Sequence, residues 1–124
     1  MLTLQLLPMV LAVCRLAKDT DIPSWALKND QFFSITRTAD ELSVVCLQAH
    51  IPDSITCEKN WRAFKVVGPL DFALTGILYS IARPLAEHKI SIFAISTYDT
   101  DYILVKEKNI EQATAVLKNW FTIS

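Results

Sequence analysis

Two glycines in 124 residues leave no room for a glycine-rich phosphate loop, so nucleotide binding of that kind is excluded. The three cysteines, Cys14, Cys46 and Cys57, are odd in number and lack C-x-x-C spacing, which argues against a zinc or redox pair. Cys14 and Cys46 lie in apolar, strand-like runs and read as small core residues. A reducing, cytoplasmic setting is the default for such usage. An excess of either charge is also missing: 12 Lys and Arg face 13 Asp and Glu, scattered along the chain. That gives no electrostatic footprint for nucleic acid. His50 and His88 have no partner at metal-ligand spacing, so no metal site is expected. Cys57 near His50 has no orienting third group, which leaves no catalytic set and no reason to expect an enzyme or a cofactor.

No apolar run reaches the roughly 20 residues of a membrane helix. The opening stretch MLTLQLLPMVLAVCRL has no Lys or Arg ahead of its apolar part, and Pro8 interrupts it. It reads as two buried strands, 3–7 and 11–16, rather than a targeting segment.

What the sequence does contain is a core, since 52% of its residues are hydrophobic. A chain of this length supports one compact domain or two small subdomains. In the second half, 62–67 reads as a strand ended by Gly68-Pro69. From Asp71 the period becomes helical, with Leu74, Ile77, Leu78, Ile81 and Leu85 on one stripe. Asp71 stands at the N-cap position, and Pro84 predicts a late kink. Strands at 90–95 and 102–106 flank a polar knot, S-T-Y-D-T-D (96–101). Asn109 and Gln112 predict a capping box for a last helix carrying Ile110, Ala113, Leu117, Trp120 and Phe121. Trp25, Trp61 and Trp120 read as core or interface anchors. The order is strand–helix–strand–strand–helix, the split βαβ or ferredoxin-like unit without its last strand. Either 3–7 or the terminal FTIS could supply that strand.

The first half echoes the second. FSITRTADELSVV (33–45) aligns without a gap to FAISTYDTDYILV (93–105), sharing Phe, Ile and the final Val. PSWAL (23–27) resembles LDFAL (70–74), but so few residues follow it that the first helix has shrunk to about a turn. Duplication explains both the matches and the common order. HIPDSITCEKN (50–60) is read as a short polar connection. The expectation is α+β: two ferredoxin-like subdomains, 1–58 and 59–124, packed as one compact unit.

The unit opening with VVGPLDFALTGIL and continuing through LAEHKISIFAIST and STYDTDYILV resembles the ACT domain, a regulatory module that binds amino acids. Within that family it is most similar to short tandem ACT-like proteins, and more distantly to the animal arginine sensor built of ACT domains. Asp71 and Gly76 occupy the acidic and glycine positions of the ACT turn. Phe72, Ala73, Leu74 and Thr75 fill the space where the commonest version has Pro-Gly. The resemblance implies a non-catalytic regulatory or sensor protein with a small-molecule ligand and a capacity to form a homodimer. It places the ligand at that turn.

The chemistry of an amino acid matches the same residues. Its carboxylate needs N–H donors, which a helix N-terminus offers at Leu74, Thr75 and Gly76. Its ammonium needs an acid such as Asp71 or Asp99. Ser96, Thr97, Tyr98 and Thr100 complete a polar lining. Each has a plainer reading: Asp71 as a cap, Gly76 as a close packing point, the knot as a turn. A protein-interaction module with no small ligand is the alternative.

Overall fold

The computed structural model describes residues 2–29, 31–71 and 73–124, so Phe72 lies outside the described residues. The strands are β1 (Thr3–Leu6), β2 (Leu11–Leu16), β3 (Ser34–Arg37), β4 (Leu42–Leu47), β5 (Cys57–Val66), β6 (Ile92–Ser96), β7 (Asp101–Lys106) and β8 (Thr122–Ile123). Two α-helices, α1 (Ile77–Glu87) and α2 (Ile110–Leu117), follow β5 and β7. Among the described residues no helix is long and apolar enough to cross a membrane.

The chain divides into two compact units, Met9–Trp61 and Met1–Pro8 with Arg62–Ser124. The sequence division at 58/59 had left the first strand with the N-terminal half. Its apolar residues are instead satisfied in the other unit. Leu4 pairs opposite Val66 and Leu6 opposite Phe64, and the side chains of Leu4, Phe64 and Val66 are fully buried.

In that larger unit the strand order is β6-β7-β5-β1-β8. Strand β1 runs antiparallel to β5 and parallel to β8. Both candidates for the missing strand are therefore used: β8 closes the ferredoxin-like set, and β1 is inserted between it and β5. Helices α1 and α2 cover the sheet, with Ile81, Leu85, Ala113 and Leu117 joining Leu4, Phe64, Val66, Ile103 and Val105 in one core. Helix α2 departs from expectation at its start. A 3-10 turn, Glu107–Asn109, precedes it, and Asn109 makes no side-chain cap. Trp120 lies beyond the helix and is largely exposed, while Phe121 is buried.

The Met9–Trp61 unit has the order β3-β4-β2-β5. It matches the ferredoxin-like order with both helices reduced to 3-10 turns, Ser24–Leu27 and Gln48–His50. The segment 57–60, read as part of a connection, is instead the start of β5. Its polar residues hide the strand from a hydrophobic pattern. Asn60 takes a positive φ of 67° beside a register shift between Leu11 and Val13. Gln48 holds it there: its side-chain oxygen accepts the Asn60 N–H at 2.6 Å, and its amide donates to Asn60 Oδ1 at 3.0 Å.

The two hairpins have the same sense and the same turn. Thr38 N–H donates to Glu41 O at 2.9 Å, and Thr97 N–H to Thr100 O at 2.8 Å. The first ladder ends at Arg37 opposite Leu42, the second at Ser96 opposite Asp101. Thr38 thus corresponds to Thr97, one position away from the gapless alignment, which pairs Thr38 with Tyr98. The turn, not the apolar composition of the strands, sets the register. In this register buried Val44, Val45 and Cys46 match buried Ile103, Leu104 and Val105.

Candidate ligand cleft

The route from β5 to α1 is shaped by two glycines for different reasons. A Cβ on Gly68 would lie 2.8 Å from the Leu70 nitrogen, so the chain passes too close for any side chain. Leu70 then donates its N–H to the Asp99 carbonyl at 2.7 Å, which ties this loop to the tip of the β6–β7 hairpin. Gly76 has open space where a side chain would stand but a φ of 79°, the left-handed region. Its requirement is conformational. The expectation of close packing at this residue, and of a helix interior, is corrected.

Asp71 is not the cap of α1. Its Oδ1 accepts the Ala73 N–H at 2.8 Å and its carbonyl accepts the Leu74 N–H at 3.0 Å. Asp closes its own local turn in this way when a helix has not yet begun. The helix starts six residues later, at Ile77, and its first turn is bonded from Ser80 N–H to Gly76 O at 2.9 Å. The donors left without an intrahelical partner are therefore those of the first turn from Ile77 onward. Leu74 N–H, one of the expected donors, is already used by Asp71.

The polar knot is mostly committed to itself. Ser96 Oγ donates to Asp101 Oδ1 at 2.5 Å. Thr97 Oγ1 donates to Thr100 O at 3.1 Å and accepts the Thr100 N–H at 3.3 Å. Thr100 is buried, and its hydroxyl donates to Val66 O at 2.6 Å, fastening the hairpin to the end of β5. Among the described residues the Asp99 carboxylate has no such role. Tyr98 projects outward, 81% exposed.

Between loop, helix start and knot lies a cleft of about 270 Å³. Of the residues singled out in the sequence, Asp71, Leu74, Gly76, Ser96, Thr97, Tyr98, Asp99 and Thr100 line it. Thr75 is exposed and does not. Sequence reasoning missed Leu70, Ile77, Leu78 and Asp101. Asp101 carried a signal, since it closes the same knot. Ile77 and Leu78 became lining residues because the helix starts later than its periodicity implied.

Among the described residues, three carboxylates, Asp71, Asp99 and Asp101, and no Lys, Arg or His line the cleft. Its side chains therefore attract a cation or ammonium group, and any anionic group must rely on backbone N–H donors. No three His, Cys, Asp or Glu groups among the described residues are placed to hold a metal ion. His88 is occupied locally, its Nδ1 2.8 Å from the Pro84 carbonyl.

Fold and cleft together define a ferredoxin-like α+β protein whose opening lies at the first strand-to-helix turn of one unit. The chain belongs to the ACT domain family, whose model matches residues 56–119. A second model, of an N-terminal domain, matches residues 10–59. A solved structure of the Agrobacterium tumefaciens protein Atu0741 is 38% identical with a TM-score of 0.92, covering 99% of this chain and 92% of that one. The Bos taurus cytosolic arginine sensor for mTORC1 subunit 1 is 32% identical over 104 residues, 75% of this chain and 32% of the sensor. A structure of aspartokinase alpha and beta subunits shares the fold at 20% identity, TM-score 0.60, over 89% of this chain and 90% of that one. The chain spans 65% of the length of the Homo sapiens relative CASTOR3P and 32% of that of the Bos taurus sensor.

Proposed function

We propose that this protein is a non-catalytic regulatory module that binds a free amino acid, or a small molecule of similar chemistry, in the cleft beside α1. The observation that carries the reading is the pairing of opposite demands in one opening. Asp71, Asp99 and Asp101 line the opening and would attract an ammonium, the Asp99 carboxylate being the one without an intramolecular partner among the described residues, while the N-terminal turn of α1 at the same opening would attract a carboxylate. Membership of the ACT family and the arginine-sensing relative agree with it. The Met9–Trp61 unit is read as a degenerate ACT-like subdomain, since two 3-10 turns have no helix face to build a similar opening. A cytoplasmic setting and a homodimer belong to the same proposal. The outer strand β6 offers an edge where a second copy could add.

A melting-temperature screen across the twenty amino acids tests this. A ligand at 100 times its dissociation constant adds about 2.7 kcal/mol of stability. Calorimetric titration of Asp99→Asn with the stabilising amino acid should then show affinity reduced roughly ten- to a hundredfold, for one lost charge-assisted bond of about 1.5–3 kcal/mol. The apo variant should melt like wild type, because that carboxylate holds nothing else among the described residues. A second reading, a protein-interaction surface, is favoured by Leu74 at 53%, Tyr79 at 63% and Tyr98 at 81% exposure around the same helix start and knot. A screen in which no amino acid shifts the melting temperature would move the reading there.

A further inference from the structure

The three cysteines converge on one face of the Met9–Trp61 unit. Cys14 lies on β2, Cys46 on β4, and Cys57 opens β5. Cys14 stands directly opposite Cys57 across the β2–β5 ladder. Cys46 is opposite Ala12, a diagonal neighbour of Cys14 rather than a facing one. The next rung is hydrogen-bonded, Arg15 N–H to Thr56 O at 3.0 Å. Cys14 and Cys57 therefore form a pair without ladder bonds of its own, the closer of the two antiparallel kinds, with Cα atoms about 4.5 Å apart. That separation falls at the lower end of the range a disulfide spans, about 4.4–6.8 Å.

Access differs between the two. Cys14 and Cys46 are buried, at 1% and 0% exposure, whereas Cys57 is only half-buried, its thiol donating to the Ile55 carbonyl at 3.2 Å. Burial above all, and then the neighbouring Cys57, push the Cys14 thiol up to about 12, so it is not the first to meet an oxidant.

We propose that Cys14 and Cys57 are a reversible cross-strand dithiol–disulfide pair, oxidised by a peroxide and restored by a small dithiol reductant. The Cys57 sulfur attacks one peroxide oxygen and the O–O bond breaks, giving a sulfenic acid and one water. The Cys14 sulfur then attacks the Cys57 sulfur and the S–O bond breaks. The departing hydroxide takes the Cys14 thiol proton and leaves as a second water. Two thiols and one hydrogen peroxide become one disulfide and two waters, and a dithiol returns the two electrons by exchange. A pair formed and opened in this way is the kind of disulfide a reducing compartment tolerates. The bond closes the loop that carries β3 and β4, which places its effect on the stability of that unit.

The test uses the full chain, reduced, exposed to hydrogen peroxide, then blocked with an alkylating reagent under denaturing conditions. The expected product carries a single alkyl group, on Cys46, and is otherwise two hydrogens lighter than the reduced chain, with a Cys14–Cys57 cross-link in its peptide map. Its melting temperature should rise by roughly 10 °C and fall back on treatment with dithiothreitol. Cys46→Ala should keep the link and Cys57→Ser should lose it. Should Cys57→Ser fail to fold, the wild-type peptide map decides alone. A Cys14–Cys46 link, a link between two chains, or over-oxidised Cys57 beside alkylated Cys14 would each overturn the assignment.

Discussion

Replacing Gly76 by Ala and, separately, by Asn distinguishes a conformational demand from a steric one. Nothing lies within 4 Å of the position a Cβ would take, so neither variant meets a clash. The φ of 79° remains. An L-residue in the left-handed region costs about 1–2 kcal/mol, and Asn tolerates it better than Ala. Part of that is offset because removing glycine stiffens the unfolded chain, by about 0.4–1 kcal/mol. Gly76→Ala should therefore lose about 0.5–1.5 kcal/mol, and Gly76→Asn should stay within about 0.5 kcal/mol of wild type. For a chain of 124 residues the unfolding entropy makes 1 kcal/mol equivalent to roughly 4 °C. Scanning calorimetry of the three proteins side by side reads the difference directly. Equal melting temperatures for the Ala and Asn variants, whether lowered or not, would refute the account of Gly76 as a left-handed hinge before α1.

Thr100→Val keeps the shape but strips the donor from the buried Val66 carbonyl, and should cost about 1–3 kcal/mol in chemical denaturation; an unchanged midpoint would show that the hairpin does not need this tie. Leu4→Ala empties a fully buried site in the middle of the larger unit's sheet and should cost about 2–5 kcal/mol, a loss that a dispensable N-terminal strand would not produce. The Cys14 and Cys46 thiols are pushed up from 9.0 to about 12 and about 11, in each case first by burial and then by Cys57. The unfolded chain then loses these protons first as pH rises. Stability should be intact below about pH 9 and fall steadily toward pH 11–12, and the fall should shrink in Cys14→Ala when melting is followed across that range.

The parts of this fold that were readable in the sequence are those where hydrophobic period and breaker residues agree. Residues 11–16 are an almost continuous apolar run bounded by a turn, and Pro69 follows the run that precedes α1. What was hidden shares one cause, side chains that replace backbone regularity. Glu58, Lys59 and Asn60 look like a loop, yet the Gln48 amide lets them continue a strand. Asp71 looks like a cap because Asp serves both caps and free-standing turns, and only the positive φ at Gly76 separates the two. For the cleft, residue types were readable but their commitments were not. Thr97 and Thr100 are the same residue type in one short turn. One closes the loop and the other reaches across to β5. The one-residue slip between the hairpins was invisible for a related reason: Val, Ile and Leu align about equally well in either register.

The insertion of β1 between β5 and β8 has a consequence for synthesis. Thr3–Leu6 leaves the ribosome long before its first partner, the 64–66 segment of β5, and longer still before Thr122–Ile123. At about 5–20 residues per second, an apolar strand with a row of open backbone groups must wait several seconds for its neighbours. The Met9–Trp61 unit can assemble during that interval, because each of its strands pairs with a segment emerging within the same stretch. The larger unit cannot be completed until Thr122–Ile123 is free to pair with β1. Its folding is thus a matter of timing, and a chaperone that shelters Thr3–Leu6 would act on a strand whose partners arrive late.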